Sequence, residues 1–421
     1  MNDTRSDIVG RVRRRHRAAV AAALLPMSWS CMAQMTVAGS ASAGYEYESN
    51  VFDLEKGSPV PGTTDYQRSD RLYTYGAALD ANYLWDRQKF FARLSDNEFH
   101  YDHFTVLDRN EYSVDTGLDW KLLRSLDGTV EVQRSRSMLA FTNVNDAQFD
   151  LQTEQRESAK VGYAFMPDWR VEGSGYYRTV DQAFVNAPAL DLRESSETLA
   201  VQYLGRAGLT AGFSGAYIDG NYSGPSAAFN PSYTQSTVSA TALYAPPGHS
   251  SINGILGYSD RKSATSFNSL SGFTGEIDYD NQLTGKTTVH LLLNRSINSY
   301  VSNASSEIDN IATLKVRWQT TYRLGVILGY NWTERTLPGQ GSTGVNSDRL
   351  DHLQYVSLNM DYQPLRWLSL KPYFNYQTRS SNVAGGSFNA TIVGLLFTVT
   401  WPNQRQPVVQ LQRMNLPVSI Q

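Results

Sequence analysis

Leu72–Leu94 reads LYTYGAALDANYLWDRQKFFARL. Its first half alternates. Tyr73, Tyr75, Ala77, Leu79, Ala81, Tyr83 and Trp85 fall on one face, and Thr74, Gly76, Ala78, Asp80 and Asn82 on the other. A period of two marks a β-strand with a different environment on each side. Asp86-Arg87-Gln88 is a tight turn, and Phe90, Ala92 and Leu94 then continue an apolar face. The stretch is a β-hairpin whose apolar side ends in aromatic rings beside the turn.

The same unit recurs along the chain. Tight turns are expected at Arg124–Gly128, Met166-Pro167-Asp168, Gly205–Gly208, Pro246-Pro247-Gly248, Thr284-Gly285-Lys286, Thr320-Thr321 and Pro364-Leu365-Arg366. An aromatic precedes almost every one: Tyr83, Trp85, Trp120, Phe165, Tyr203, Tyr244, Trp318 and Tyr362, with Trp401 closing the last strand. The alternate connections are longer and polar, at Asp53–Ser69, Phe184–Arg193, Asp219–Ser232, Lys262–Ser271, Leu337–Asp348 and Ser380–Ser387. The repeat is roughly 40 residues, one hairpin with its connections. About eighteen strands result, starting with Thr36–Phe52, and an even count suits bacterial single-chain barrels.

Each strand exceeds the roughly 9–11 residues that cross a bilayer at a tilt. In lipid every backbone N–H and C=O must be paired, so a spanning sheet closes on itself. Tyr and Trp favour the membrane interface because the ring prefers apolar surroundings and the polar tip needs water. These features predict an all-β fold: a transmembrane antiparallel up-and-down β-barrel with short periplasmic turns and longer extracellular loops. A soluble sheet would also alternate, with its apolar side inward.

Composition agrees. The 421 residues include 25 Tyr and 8 Trp, and the formal net charge is −3. That balance gives no argument for a nucleic-acid partner. Arg11, Arg13, Arg14, Arg15 and Arg17, followed by the apolar Ala18–Leu25 and by Cys31-Met32-Ala33, form a Sec-type signal peptide over residues 1–33, cut before Gln34. Its bland alternative is an N-terminal extension. A lipoprotein site at Cys31 would need Leu where Ser28 stands. The cut chain carries no thiol, since Cys31 is the single cysteine, and needs neither disulfides nor a thiolate metal site. The barrel is expected over 34–401, with no plug domain before it, and residues 402–421 as a periplasmic tail.

Barrels of 16 to 18 strands leave an aqueous channel. Counting alternate positions puts Asp80, Asn82, Arg93, Asp115, Asp119, Lys121, Glu276, Asp278, Asp280, Lys315, Arg317, Asn375 and Arg379 on the lumen face. Glu276, Asp278 and Asp280 form an acidic strip, with Lys315 and Arg317 a basic strip one hairpin away. Both signs together give either a solvated, self-neutralising wall or a path whose polar groups bond sugar hydroxyls. The search for catalysis finds one constellation, His100, Asp102 and His103, with His100 and Asp102 on one strand face near the outer rim. A His/Asp pair there suits a rim enzyme, and solvated surface equally. His290 and His352 stand alone. Gly339-Gln340-Gly341 lacks the strand–helix context of a phosphate loop. No enzyme activity, cofactor or metal is expected.

GYEYESNVFDLEKG at 44–57 and SDRLYTYGAALDANYLWDRQKF at 69–90 resemble the EpsL-type β-barrel porins of Gram-negative bacteria. There an aromatic followed by Asn-Val-Phe/Tyr opens the barrel, and a strand ending near Trp precedes the first tight turn. Tyr47, Ser49, Asn50, Val51, Phe52, Leu54, Tyr83 and Trp85 carry the match. The resemblance implies an outer-membrane barrel in exopolysaccharide biosynthesis and export. Its implied partners are outer-membrane lipid and lipopolysaccharide, the polymer, and periplasmic polysaccharide export proteins. It supplies no catalytic residues. Rival readings are a general or substrate-selective diffusion porin, a rim enzyme, and a structural or adhesive barrel, which an inward-folded Asp53–Ser69 loop would favour.

Overall fold

The computed structural model describes residues 33–60, 64, 66–139, 141, 151–182, 191–223, 232–248, 250–263, 269–299, 306–339 and 348–402. The proposed signal peptide and C-terminal tail, and most of the long loops, lie outside the described residues.

Eighteen strands form one antiparallel sheet. They are β1 (Ala33–Glu48), β2 (Asp70–Trp85), β3 (Gln88–Tyr101), β4 (Arg109–Lys121), β5 (Leu126–Met138) and β6 (Leu151–Met166). Then follow β7 (Trp169–Gln182), β8 (Asp191–Leu204), β9 (Leu209–Ser223), β10 (Tyr233–Tyr244), β11 (Ser250–Ser263) and β12 (Leu270–Thr284). The last are β13 (Thr287–Ser299), β14 (Ser306–Gln319), β15 (Leu324–Leu337), β16 (Arg349–Leu365), β17 (Leu368–Ser381) and β18 (Phe388–Trp401). Each strand pairs with its sequence neighbours, and β1 pairs with both β2 and β18. The sheet is therefore a closed up-and-down barrel without an edge, the form in which every ladder group finds a partner.

The tight turns follow local chemistry. Trp85 pairs with Gln88, so Asp86 and Arg87 alone make the first turn. Asp86 takes a φ of 55°, a left-handed value that Asp tolerates better than most residues. Gly208 has a φ of 80°, and a Cβ there would meet the Ala245 carbonyl oxygen at 2.0 Å. Register shifts at Ala164/Met166, Gln282/Thr284 and Tyr362/Leu365 all sit beside tight turns, where bulges commonly end a ladder at a barrel rim. Several expected limits move. The turn after β4 lies at 122–125, because Leu126–Gly128 already pair with β6, and β16 runs through Pro364 to Leu365.

One face of every strand carries the large apolar side chains. Phe213 is 72% exposed, Leu328 52% and Trp318 53%. Rows of this kind running round the barrel far exceed the apolar patches that soluble monomers expose. The opposite face holds the buried polar side chains, among them Asp115, Asp309, Arg335 and Asn375. The oily face thus points outward and the polar face lines the lumen, an inside-out arrangement that requires lipid around it.

Candidate functional site: the lumen wall and its mouth

The cross-strand registers fix which side chains share the interior. Asp80 pairs with Arg93 and Arg93 with Asp115, so one row crosses β2, β3 and β4 on one face. The Arg93 guanidinium lies 2.8 Å from the buried Asp115 and 3.5 Å from Asp80, over the Phe91 ring. Asn82 donates to Asp80 (2.5 Å), and Thr129 to Asp119 (2.9 Å). Lys121 pairs in register with Asp127, which accepts two hydrogen bonds from Arg170 at 2.8 and 2.7 Å.

Further round, Arg178 sits 2.8 Å from Glu154, and Glu194 accepts hydrogen bonds from the hydroxyls of Tyr176 (2.7 Å) and Tyr233. Arg261 stacks over the Tyr233 ring. Arg335 reaches Glu307 (3.1 Å) and the fully buried Asp309 (3.0 Å), and Arg349 reaches Asp351 (2.8 Å). Arg379 is buried against the Phe388 ring. Asn375 and Arg379 share one face of β17, since Asn375 pairs with Ser357 and Arg379 with Leu353. The wall is thus a chain of charges that neutralise one another sideways.

Glu276, Asp278 and Asp280 follow a different rule. Asn294 donates to Glu276 (3.1 Å), and the strip's ion pairs among the described residues run to His290. Asp280 pairs with His290, and His290 in turn with Lys315. His290 is therefore not alone: its Nδ1 lies 3.1 Å from Asp280 and 3.3 Å from Asp278. Arg317 pairs with Thr288 on the same face. The partnership was readable in advance, because Asp280 and His290 stand five residues either side of Gly285 in the tight turn.

The mouth is built by the first long connection. β1 ends at Glu48, short of the expected Phe52, and the chain then turns inward. Asn50 fastens it, donating to the Leu54 and Asn389 carbonyls (2.9 Å each) and accepting the Leu54 N–H (3.1 Å). Val51, Phe52 and Val60 bury themselves with Leu72, Tyr101, Phe104, Leu107, Leu139 and Phe141 in a small apolar core. Phe52 meets the Phe104 ring at 4.9 Å and Phe141 at 5.4 Å. On the other side Asp53 accepts a hydrogen bond from Gln377 (2.8 Å) and Glu55 one from Gly385 N–H (3.0 Å). Burial pushes the Asp53 carboxyl up to about 7, while the Arg379 charge and the Gln377 hydrogen bond pull it down. The segment thus lines the mouth from β17 round to β5, the inward fold on which the structural-barrel reading turned.

His100 and Asp102 are not brought together at the rim. His100 lies 3.5 Å from Glu98 and 3.5 Å from Asp108. Asp102 instead faces Arg71 at 3.9 Å. The backbone N–H of His103 donates to Asp70, and its ring packs edge-on against Phe104. His352 stacks on Trp332 and sits 3.8 Å from Glu334.

Outside, Tyr83, Trp85, Phe165, Tyr203, Tyr244, Trp318, Tyr362 and Trp401 are exposed beside the tight turns. Trp120 pairs with Gly128 and lies over it, where a Cβ would meet the indole at 2.4 Å. A second band was missed from sequence. Tyr177, Tyr217, Tyr258 and Tyr376 are all exposed and each stands eight positions beyond the first residue of its strand. Eight residues rise about 20 Å at ~3.3 Å each and a tilt near 40°. The outward neighbours beyond them turn polar, at Thr179, Asp219, Asp260 and Thr378. Two aromatic bands bounding an apolar belt are the exterior of a membrane-spanning barrel.

Residues 253–400, which span most of β11 through β18, match the family model described as "Putative beta-barrel porin 2". No curated protein matches the chain. Among solved structures, the outer membrane protein OpdK from Pseudomonas aeruginosa is 10% identical, with a TM-score of 0.47, over 87% of this chain and 99% of that one. The siderophore receptor PirA from Pseudomonas aeruginosa is 11% identical, with a TM-score of 0.46, over 87% and 80%. The closed barrel and its lipid-facing exterior make this chain a membrane-spanning β-barrel, and its C-terminal strands are similar to that porin family.

Proposed function

We propose that the barrel guides an exopolysaccharide across the outer membrane, passively, through a wet polar lumen, with synthesis at the inner membrane supplying the drive. The observation that carries this reading is the sideways neutralisation of the wall. Arg93, Arg170, Arg178, Arg335 and Arg349 each lie within 4 Å of a carboxylate. Such a wall offers many hydrogen-bonding groups and little net field, which suits a hydroxyl-rich chain better than an ion. The resemblance of residues 44–57 and 69–90 to EpsL-type barrels supports the same reading. Polymer, lipopolysaccharide and periplasmic export proteins are the partners this reading expects.

Deleting the gene in an otherwise intact strain should abolish secreted polymer and leave polymer inside the envelope. Normal capsule or biofilm polymer after deletion would refute the export role. The inward-folded segment at the mouth favours one second reading, a structural or adhesive barrel that needs no open pore. Purified protein in planar bilayers separates the two: a barrel that stays shut to ions and small sugars marks the structural reading.

A further inference from the structure

We propose that Asp278, Asp280 and His290 form a lumen site for one borderline divalent metal ion of the zinc, nickel or copper class. Asp278 and Asp280 stand two residues apart on β12, so both project from the same face. His290 faces Asp280 across the β12–β13 ladder. One ligand atom from each residue lies within 4.8 Å of the others. In a tetrahedral site with metal–ligand distances of about 2.1 Å, ligand atoms lie about 3.4 Å apart. The His290 Nδ1 already stands 3.1 and 3.3 Å from the two carboxylate oxygens, so the three need little movement. Paired backbone on both strands holds them there, as a preorganised metal site requires.

A second observation points to a missing partner. The hydrogen bond at His290 Nδ1 goes to Asp280, and a single ring N–H there satisfies at most one carboxylate well. The Asp278 Oδ1 atom is shielded from solvent and accepts no hydrogen bond. A metal bound at the Nδ1 lone pair, with the ring proton on Nε2, would engage both carboxylates at once. The fourth position would open to the lumen for water or a polar solute.

The ligand set also selects the ion. Calcium and magnesium take oxygen ligands throughout, whereas an imidazole nitrogen suits zinc, nickel and copper. Lys315 stands beside His290 in register, and its charge opposes any cation held by charge alone. A bound ion would tie β12 to β13 and cancel the unpaired acidity of the strip. This inference does not depend on what passes through the lumen.

The test is calorimetric titration of the purified full-length barrel in detergent with zinc chloride. Each protein's fold is checked by its heat-modifiable migration on a gel. The parent should bind one zinc ion per chain. His290→Ala should weaken binding on the order of 100-fold, the upper end of what losing even a supporting partner costs a metal site. Asp280→Asn, a milder change at a half-exposed side chain, should weaken it about tenfold and serves if His290→Ala does not fold. Lys315→Met should tighten it by about threefold or more, because a like charge is removed. No zinc binding by the parent, equal binding by parent and folded variants, or calcium bound as tightly as zinc would each overturn the site.

Discussion

The mouth and the lower wall handle buried charge in opposite ways. At the mouth, carboxylates are enclosed and answered: Asp70 accepts from the backbone N–H groups of His103 and Phe104, and Asp309 accepts from Arg335. On the lower wall between β12 and β14, the acids are half exposed and lean on one imidazole and one lysine. The difference is covering. Where a carboxylate is enclosed, an unanswered charge would cost several kcal/mol, and Asp70 and Asp309 both have donors. Where the lumen is wet, water answers most of the charge, and acids can stand together. The enclosed region carries stability and the open one is free to carry function.

Breaking the enclosed side should cost most. Arg335→Ala leaves Glu307 and Asp309 buried without their cation and should destabilise the barrel by about 3–5 kcal/mol, read by denaturant unfolding in micelles. A loss under about 1 kcal/mol would show that water reaches both acids. Phe52→Ala empties the apolar core of the mouth and should cost about 3 kcal/mol. That loss should appear as faster hydrogen exchange over 49–60 while β7–β12 exchange unchanged.

The third effect is pH-linked and smaller. Asp53 is raised to about 7 from an unfolded value near 3.9. The docked segment then binds more protons than the undocked one, so its contribution is full below about pH 4 and is lost as pH rises through about 7. Exchange over 49–60 should therefore quicken between pH 5 and pH 7.5, beyond the intrinsic rate change, and Asp53→Asn should flatten that dependence. Glu48 and Arg379 face the same carboxyl; Glu48→Gln tests whether Glu48 contributes to the slope. The smallest effect belongs to the rim. Arg71 and Asp102 are 3.9 Å apart and more than half exposed, so Arg71→Ala should change stability by less than about 0.5 kcal/mol.

What could be read from the sequence follows the same division. Hairpins such as Leu72–Leu94 are local, and a period of two reports the face of each side chain without any partner. Counting back from a tight turn gives cross-strand neighbours, so Asp80 should have been set beside Arg93 and His290 beside Asp280. The mouth is another matter. Asn50 bonds to Asn389 across 339 positions, and Asp53 to Gln377 across 324. Val51 continues the alternation of β1 and the apolar Phe52 follows it, so both read as strand. Only their packing on Phe104 and Phe141 turns them inward. The second aromatic band was hidden for a related reason, because no turn stands beside Tyr177, Tyr217 or Tyr258 to mark a membrane surface.

The central claim is that oily side chains face lipid and wet ones face a channel. Site-directed spin labels at successive positions of β15 test it most directly, from Val326 to Asn331, one per variant, in a Cys31→Ser background reconstituted in liposomes. The account predicts that labels at 326, 328 and 330 meet oxygen from the bilayer, while labels at 327, 329 and 331 meet a water-soluble nickel relaxant. Relaxant access at 328 and 330, or no alternation along the strand, would contradict it.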